Sequence, residues 1–89
     1  MFPYLTYQNA HSYEKEAERL DVSKVARSAR GFMRAYEKAR SPDNLSEHWR
    51  TKRDNFVKRH LVQYNENPTY RRYLALIMWA FKPKKYPVK

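Results

Sequence analysis

Five cations recur between residues 24 and 38 at spacings of three and four: Lys24, Arg27, Arg30, Arg34 and Lys38. On an α-helix that spacing gathers them on one side, with no acid among them. Exposed helices ordinarily intersperse Glu with Lys so that residues four apart attract each other. Here the neighbours repel, and a polyanion lying along the face would offset that cost. Arginine suits phosphate because its planar fork binds two oxygens at once, and three of the five are Arg. Arg71, Arg72, Lys82, Lys84 and Lys85 form a second, more scattered set of phosphate contacts.

Other polar groups read more simply. Arg53 falls on an apolar helix face between Trp49 and Phe56, where it can stack on those rings and pair with an acid such as Asp21 or Glu37. The competing reading aims its guanidinium out of an aromatic cleft towards phosphate. His60 shares that face and reads as a core histidine, with His48 near the rim. Twelve residues separate the two, so they make no paired metal face. There is no Cys, and the single Gly rules out a glycine-rich phosphate loop. No Ser-His-acid arrangement stands out. The expectation is therefore a binding protein rather than an enzyme, with no catalytic residue, metal or cofactor.

The elements that must hold these groups follow from hydrophobic spacing. Val22, Val25, Ala26, Ala29, Phe32, Met33 and Tyr36 repeat with helical period and predict a helix over 22–40, opened by Asp21. Ser41-Pro42-Asp43 is a turn, and Asn44-Leu45-Ser46-Glu47 approximates a capping box opening a second helix over 44–64. Its inner face is Leu45, Trp49, Phe56, Val57, His60, Leu61 and Tyr64. Pro68 suits the first turn of a third helix over 68–82, which Pro83 cannot continue. A weaker pattern, Ala10, Tyr13, Ala17 and Leu20, predicts a short helix over 10–20 with Asn9 as its cap. Residues 1–9 should be extended and apolar, through Phe2, Pro3, Tyr4, Leu5 and Tyr7, and residues 83–89 form a basic tail.

The expected fold is thus all-α: one small domain over 1–89, with three main helices and a possible short fourth. Trp49, Phe56, Leu74 and Ile77 should be largely buried. Trp79 falls opposite the apolar side of the third helix. With Leu76 it would form an exposed patch, covered by the N-terminal aromatics or used for self-association.

Composition narrows the function classes. Hydrophobic residues at 42% and aromatics at 16% are enough to fold, which argues against a disordered basic tail. The net charge of +10 is uneven. Residues 1–22 carry four acids against two bases, and residues 23–89 carry 17 bases against five acids. The positive charge lies in the region expected to fold. No continuous apolar run resembles a signal peptide or a membrane span, so a cytoplasmic protein without a membrane partner is expected.

Asn67-Pro68-Thr69-Tyr70-Arg71-Arg72-Tyr73, with Trp49 upstream and Lys82-Pro83-Lys84-Lys85 downstream, resembles in outline the C-terminal part of an HMG box. An apolar helix follows it where that family has a basic tail, and no family is assigned. The leading expectation is a DNA- or RNA-binding protein that contacts the phosphate backbone with little sequence readout. The alternative is an interaction module, of phage or viral type, docking an acidic protein surface. The bland reading of the basic face is solvation alone.

Overall fold

The computed structural model describes residues 4–87. Phe2, Pro3, Val88 and Lys89, which belong to the expected N-terminal segment and basic tail, lie outside them. The described residues are helical with no strand, but the helices are shorter and more numerous than the hydrophobic pattern implies.

The expected helix over 10–20 is two. Helix α1 (Tyr7–His11) starts earlier, because Thr6 rather than Asn9 caps it, its hydroxyl accepting the Asn9 N–H at 3.3 Å. Ser12 then ends α1, donating its hydroxyl to the Asn9 carbonyl at 2.6 Å. Serine competes with the helical ladder in this way. Helix α2 (Glu14–Arg19) follows. It closes in a Schellman turn: Asp21 N–H bonds Glu18 O at 3.0 Å and Val22 N–H bonds Ala17 O at 2.8 Å. Asp21 takes the left-handed conformation this turn requires, with φ of 55°. It therefore terminates α2 and does not open the next helix.

The helix expected over 22–40 is broken into α3 (Lys24–Arg27) and α4 (Phe32–Ala39). Ser28 turns extended, with ψ of 167°, and donates its hydroxyl to the Val25 carbonyl at 2.8 Å. Gly31 makes the break possible. A Cβ there would stand 2.1 Å from the Val25 carbonyl oxygen and 2.6 Å from that of Ala26. Only glycine lets α4 start against the backbone of α3. The break leaves Val25, an expected core residue, 80% exposed.

A single 3-10 turn (Pro42–Asn44) leads to α5 (Glu47–Glu66), the longest element. Its cap is Ser46, whose hydroxyl accepts the Trp49 N–H at 3.4 Å. Asn44, expected in that role, instead donates its amide to the Ala39 carbonyl at 3.2 Å and so caps the other end of α4. Helix α6 (Tyr70–Ile77) is capped by Thr69, which accepts the Arg72 N–H at 3.2 Å. It stops well before Pro83 in a second Schellman turn, where Phe81 N–H reaches Leu76 O at 3.0 Å and Ala80 has φ of 64°.

Phe32, Met33 and Tyr36 of α4, Val57 and Tyr64 of α5, and Leu74, Leu76 and Ile77 of α6 are fully buried in one cluster. Each such aliphatic side chain contributes about 1.5–3 kcal/mol. Leu74 and Ile77 lie where expected, whereas Trp49 and Phe56 are only half-buried. Trp79 sits in the turn after α6, so the helical wheel that placed it opposite the core does not apply. It stacks between Phe32 (4.8 Å, 24°) and Phe56 (4.9 Å, 20°). With Leu76 fully buried, the expected apolar patch is not on the surface.

Of the N-terminal segment expected to cover Trp79, Phe2 lies outside the described residues, and Leu5 docks at the residue after Trp79. Leu5 N–H donates to the Ala80 carbonyl at 2.6 Å, and the Leu5 carbonyl accepts the Tyr36 hydroxyl. Burial of the Tyr36 phenol pushes its pKa up to about 12.

Candidate nucleic-acid interface

The break between α3 and α4 divides the five-cation series. Lys24 and Arg27 stay on α3, while Arg30, Arg34 and Lys38 keep their four-residue spacing across the start of α4 and along it. Beside them, at the same spacing, run the small residues Gly31, Ala35 and Ala39. This small floor leaves a cleft of about 530 Å³ between α4 and the beginning of α5. Arg30, Arg34 and Lys38 line one side, and Asn44, Leu45, Ser46 and Trp49 line the other. No carboxylate is among the lining residues. The opening also faces the amino end of a 20-residue helix, whose peptide dipoles are offset in part by Glu47 in its first turn.

The cations differ in freedom. Lys24, Arg30 and Lys38 are exposed and form no ion pair among the described residues. Arg27 is committed to structure: its Nε donates to the Val22 carbonyl at 2.8 Å, and it lies 3.7 Å from Asp21. It holds the turn between α2 and α3. Arg34 donates to both Glu14 oxygens at 2.7 Å and lies 3.4 Å from Glu37. Its Nε is buried with no partner among the described residues. The expectation of five cations without acids is therefore corrected for these two. Their acids come from Asp21 and Glu14, outside the helix pattern, and from Glu37 a turn away.

The second set is dispersed. Arg71 Nη1 donates to the Leu20 carbonyl at 2.6 Å. Arg72 Nη1 donates to Gln63 O and Asn67 O at 3.3 and 3.1 Å, closing the carboxyl end of α5. Both line a different, shallower cleft with His60. Lys82 lies over Tyr13, with its ammonium 6.0 Å from the ring centroid, in a cleft shared with Tyr70, Tyr73 and Tyr86. A hydrogen bond with Tyr13 raises its pKa. Lys84 and Lys85 are exposed.

Arg53 is buried, but it does not stack on Trp49 or Phe56 and pairs with neither Asp21 nor Glu37. It turns to the N-terminal segment, its Cζ 3.7 Å from the Tyr4 ring centroid and its Nε donating to Asp54 at 3.1 Å. Tyr4 also donates its hydroxyl to Asp54. Burial first, and then that carboxylate, drives the Tyr4 pKa far above its ordinary value. This ties α5 to the segment that precedes α1 and gives Arg53 a structural role. His60 is half-buried, stacked on Phe56 at 4.0 Å, and burial with Arg59 and Arg72 nearby lowers its pKa.

Asn44, Ser46 and Trp49 are the cleft residues that charge patterning missed. The turn signal at Ser41-Pro42-Asp43, which folds α5 back on α4, was the available clue. Among the described residues no three His, Asp or Glu side chains gather to hold a metal, and no helix is long and apolar enough to cross a membrane. Comparison of the chain with known protein families, curated proteins and solved structures finds none that matches.

Proposed function

We propose that this chain binds nucleic acid through its phosphate backbone, with little sequence readout, at the cleft between α4 and α5. One observation carries the reading: three cations at helical spacing line a concave surface whose walls contain no carboxylate. Phosphates in such a cleft gain Coulombic attraction and relieve repulsion among the cations. Arg30 and Lys38 make the direct contacts, Arg34 contributes a partly neutralised charge, and Lys24 extends the positive surface beyond the break. Arg71, Arg72, Lys82, Lys84 and Lys85 add long-range attraction. This is a binding role without a chemical step.

The test is the salt dependence of affinity, read by fluorescence anisotropy on labelled DNA and RNA. Each neutralised phosphate contributes about −0.9 to the slope of log affinity against log salt on a duplex, and about −0.7 on a single strand. Arg30→Gln with Lys38→Gln should flatten the slope by about 1.4 to 1.8 units, twice the single-phosphate value. Arg27→Gln should alter stability more than slope. Absence of binding to any nucleic acid at low salt overturns the reading and favours docking to an acidic protein.

A further inference from the structure

We infer that the cleft takes a single strand rather than a duplex, with an unpaired base lying on the Trp49 ring and flanking phosphates on Arg30 and Lys38. The inference rests on the phosphate-binding reading above and specifies its ligand.

It comes from a contrast between the two tryptophans. Trp79 has a ring stacked nearly flat on either side, Phe32 and Phe56. Trp49 has none. Its ring contacts among the described residues are edge-on or tilted: Phe32 at 63°, His48 at 73° and Trp79 at 44°. A half-buried indole with no flat partner, lining the cleft that holds Arg30, Arg34 and Lys38, is a stacking platform beside a phosphate track. Lys52, exposed on the next turn of α5, holds its ammonium over the Trp49 ring, 5.5 Å from its centroid, and an arriving base displaces this flexible side chain towards a phosphate or takes the opposite face.

A duplex cannot use this platform, because its base faces are already stacked on one another and only sugars, phosphates and base edges reach a protein. A single strand presents both a free base face and a flexible backbone. Every base has such a face, so stacking adds affinity without demanding a sequence. DNA and RNA single strands share this chemistry.

The experiment uses a Trp79→Phe variant, so that Trp49 is the one tryptophan reporting, titrated with short oligothymidylate, oligouridylate and a duplex of equal length. Single strands should quench Trp49 emission and bind more tightly than the duplex, which should leave emission unchanged. In the otherwise native chain, Trp49→Leu should weaken single-strand binding by about 5- to 150-fold, the 1–3 kcal/mol of one stacked base at 1.4 kcal/mol per tenfold. Trp49→Phe should restore most of the loss. Quenching does not depend on substituting Trp49, so it decides the matter even if Trp49→Leu does not fold. Equal affinity for both forms without quenching overturns the inference and leaves phosphate binding standing. Binding to neither form overturns both.

Discussion

Replacing Gly31 with alanine tests the break on which the cleft depends, and the sign of the outcome is itself informative. In an uninterrupted helix over 22–40, Gly31 would be an interior glycine, and alanine there would stabilise the fold by about 0.8–1 kcal/mol. In the observed structure the added methyl lands 2.1 Å from the Val25 carbonyl oxygen and 2.6 Å from that of Ala26. Real contacts of this kind essentially never fall under 3.0 Å, so something must shift by about an ångström. Neither obstacle is a flexible side chain; both are backbone of α3, which is anchored by buried Val22 and Ala26. Forced overpacking of this kind costs about 1–3 kcal/mol, and two rigid obstacles put Gly31→Ala near 3. For a domain of this size each kcal/mol moves Tm by about 4–8 °C, so a fall of about 12–24 °C is expected. Thermal unfolding followed by far-UV circular dichroism measures it. An unchanged or raised Tm would refute the close approach of α4 to α3 and with it the shape of the cleft.

Other outcomes follow from single features. Arg40 is exposed with φ of 69°, so Arg40→Gly should relieve about 1 kcal/mol of left-handed strain and raise Tm by about 4–8 °C; a lower Tm would contradict this. Glu14 holds Arg34 through two hydrogen bonds in a partly buried pair, so Glu14→Ala should cost about 2 kcal/mol in denaturant unfolding. The same change should also tighten nucleic-acid binding by freeing Arg34, and weaker binding in the folded variant would count against the cleft. The lowered pKa of His60 means the unfolded chain takes up a proton near 6.5 while the folded chain still resists it. Stability is therefore full above 6.5 and declines as pH falls through 6.5 towards the lowered value. His60→Gln should lose that part of the decline, and matching pH profiles of Tm in the two proteins would exclude His60 as its source.

The helical class and most buried positions were legible in the sequence, because period-3.6 spacing directly reports which residues share a face. Leu74, Ile77, Val57 and Tyr64 followed from it. Boundaries were less accessible. The apolar series from Val22 to Tyr36 outweighed two breakers within it, Ser28 and Gly31, since periodicity counts apolar residues and overlooks a hydroxyl able to bond the backbone. Asp21 has the chemistry of an N-cap, yet the same short side chain tolerates left-handed backbone, and the Schellman turn used that property. Of the site, the four-residue ladder Arg30, Arg34 and Lys38 was visible as a charge pattern. The neutralisation of Arg34 by Glu14 was not, because twenty residues separate them. Trp49 looked like core for the same reason that Trp79 looked exposed: a helical wheel shows direction from an axis, not what stands there, and Trp79 is not on the helix.

The hydrogen bond from Leu5 to Ala80 has a consequence for how the chain is made. It joins residue 5 to residue 80, with Tyr36 fastening the carbonyl of the same residue from the middle of the chain. Closing so long a loop costs about 1.8 kcal/mol more than closing one of about ten residues, since the entropy grows with the logarithm of length. During synthesis the Leu5 amide leaves the ribosome well before Ala80 and lacks its backbone acceptor until Ala80 has followed. Helix α1 cannot take its final seat vectorially. A nascent chain stalled before Ala80 can already seat Tyr4 on Arg53 and Leu5 on Tyr36, but it leaves the Leu5 amide unpaired, a loose segment that a chaperone or a protease can recognise as unfinished.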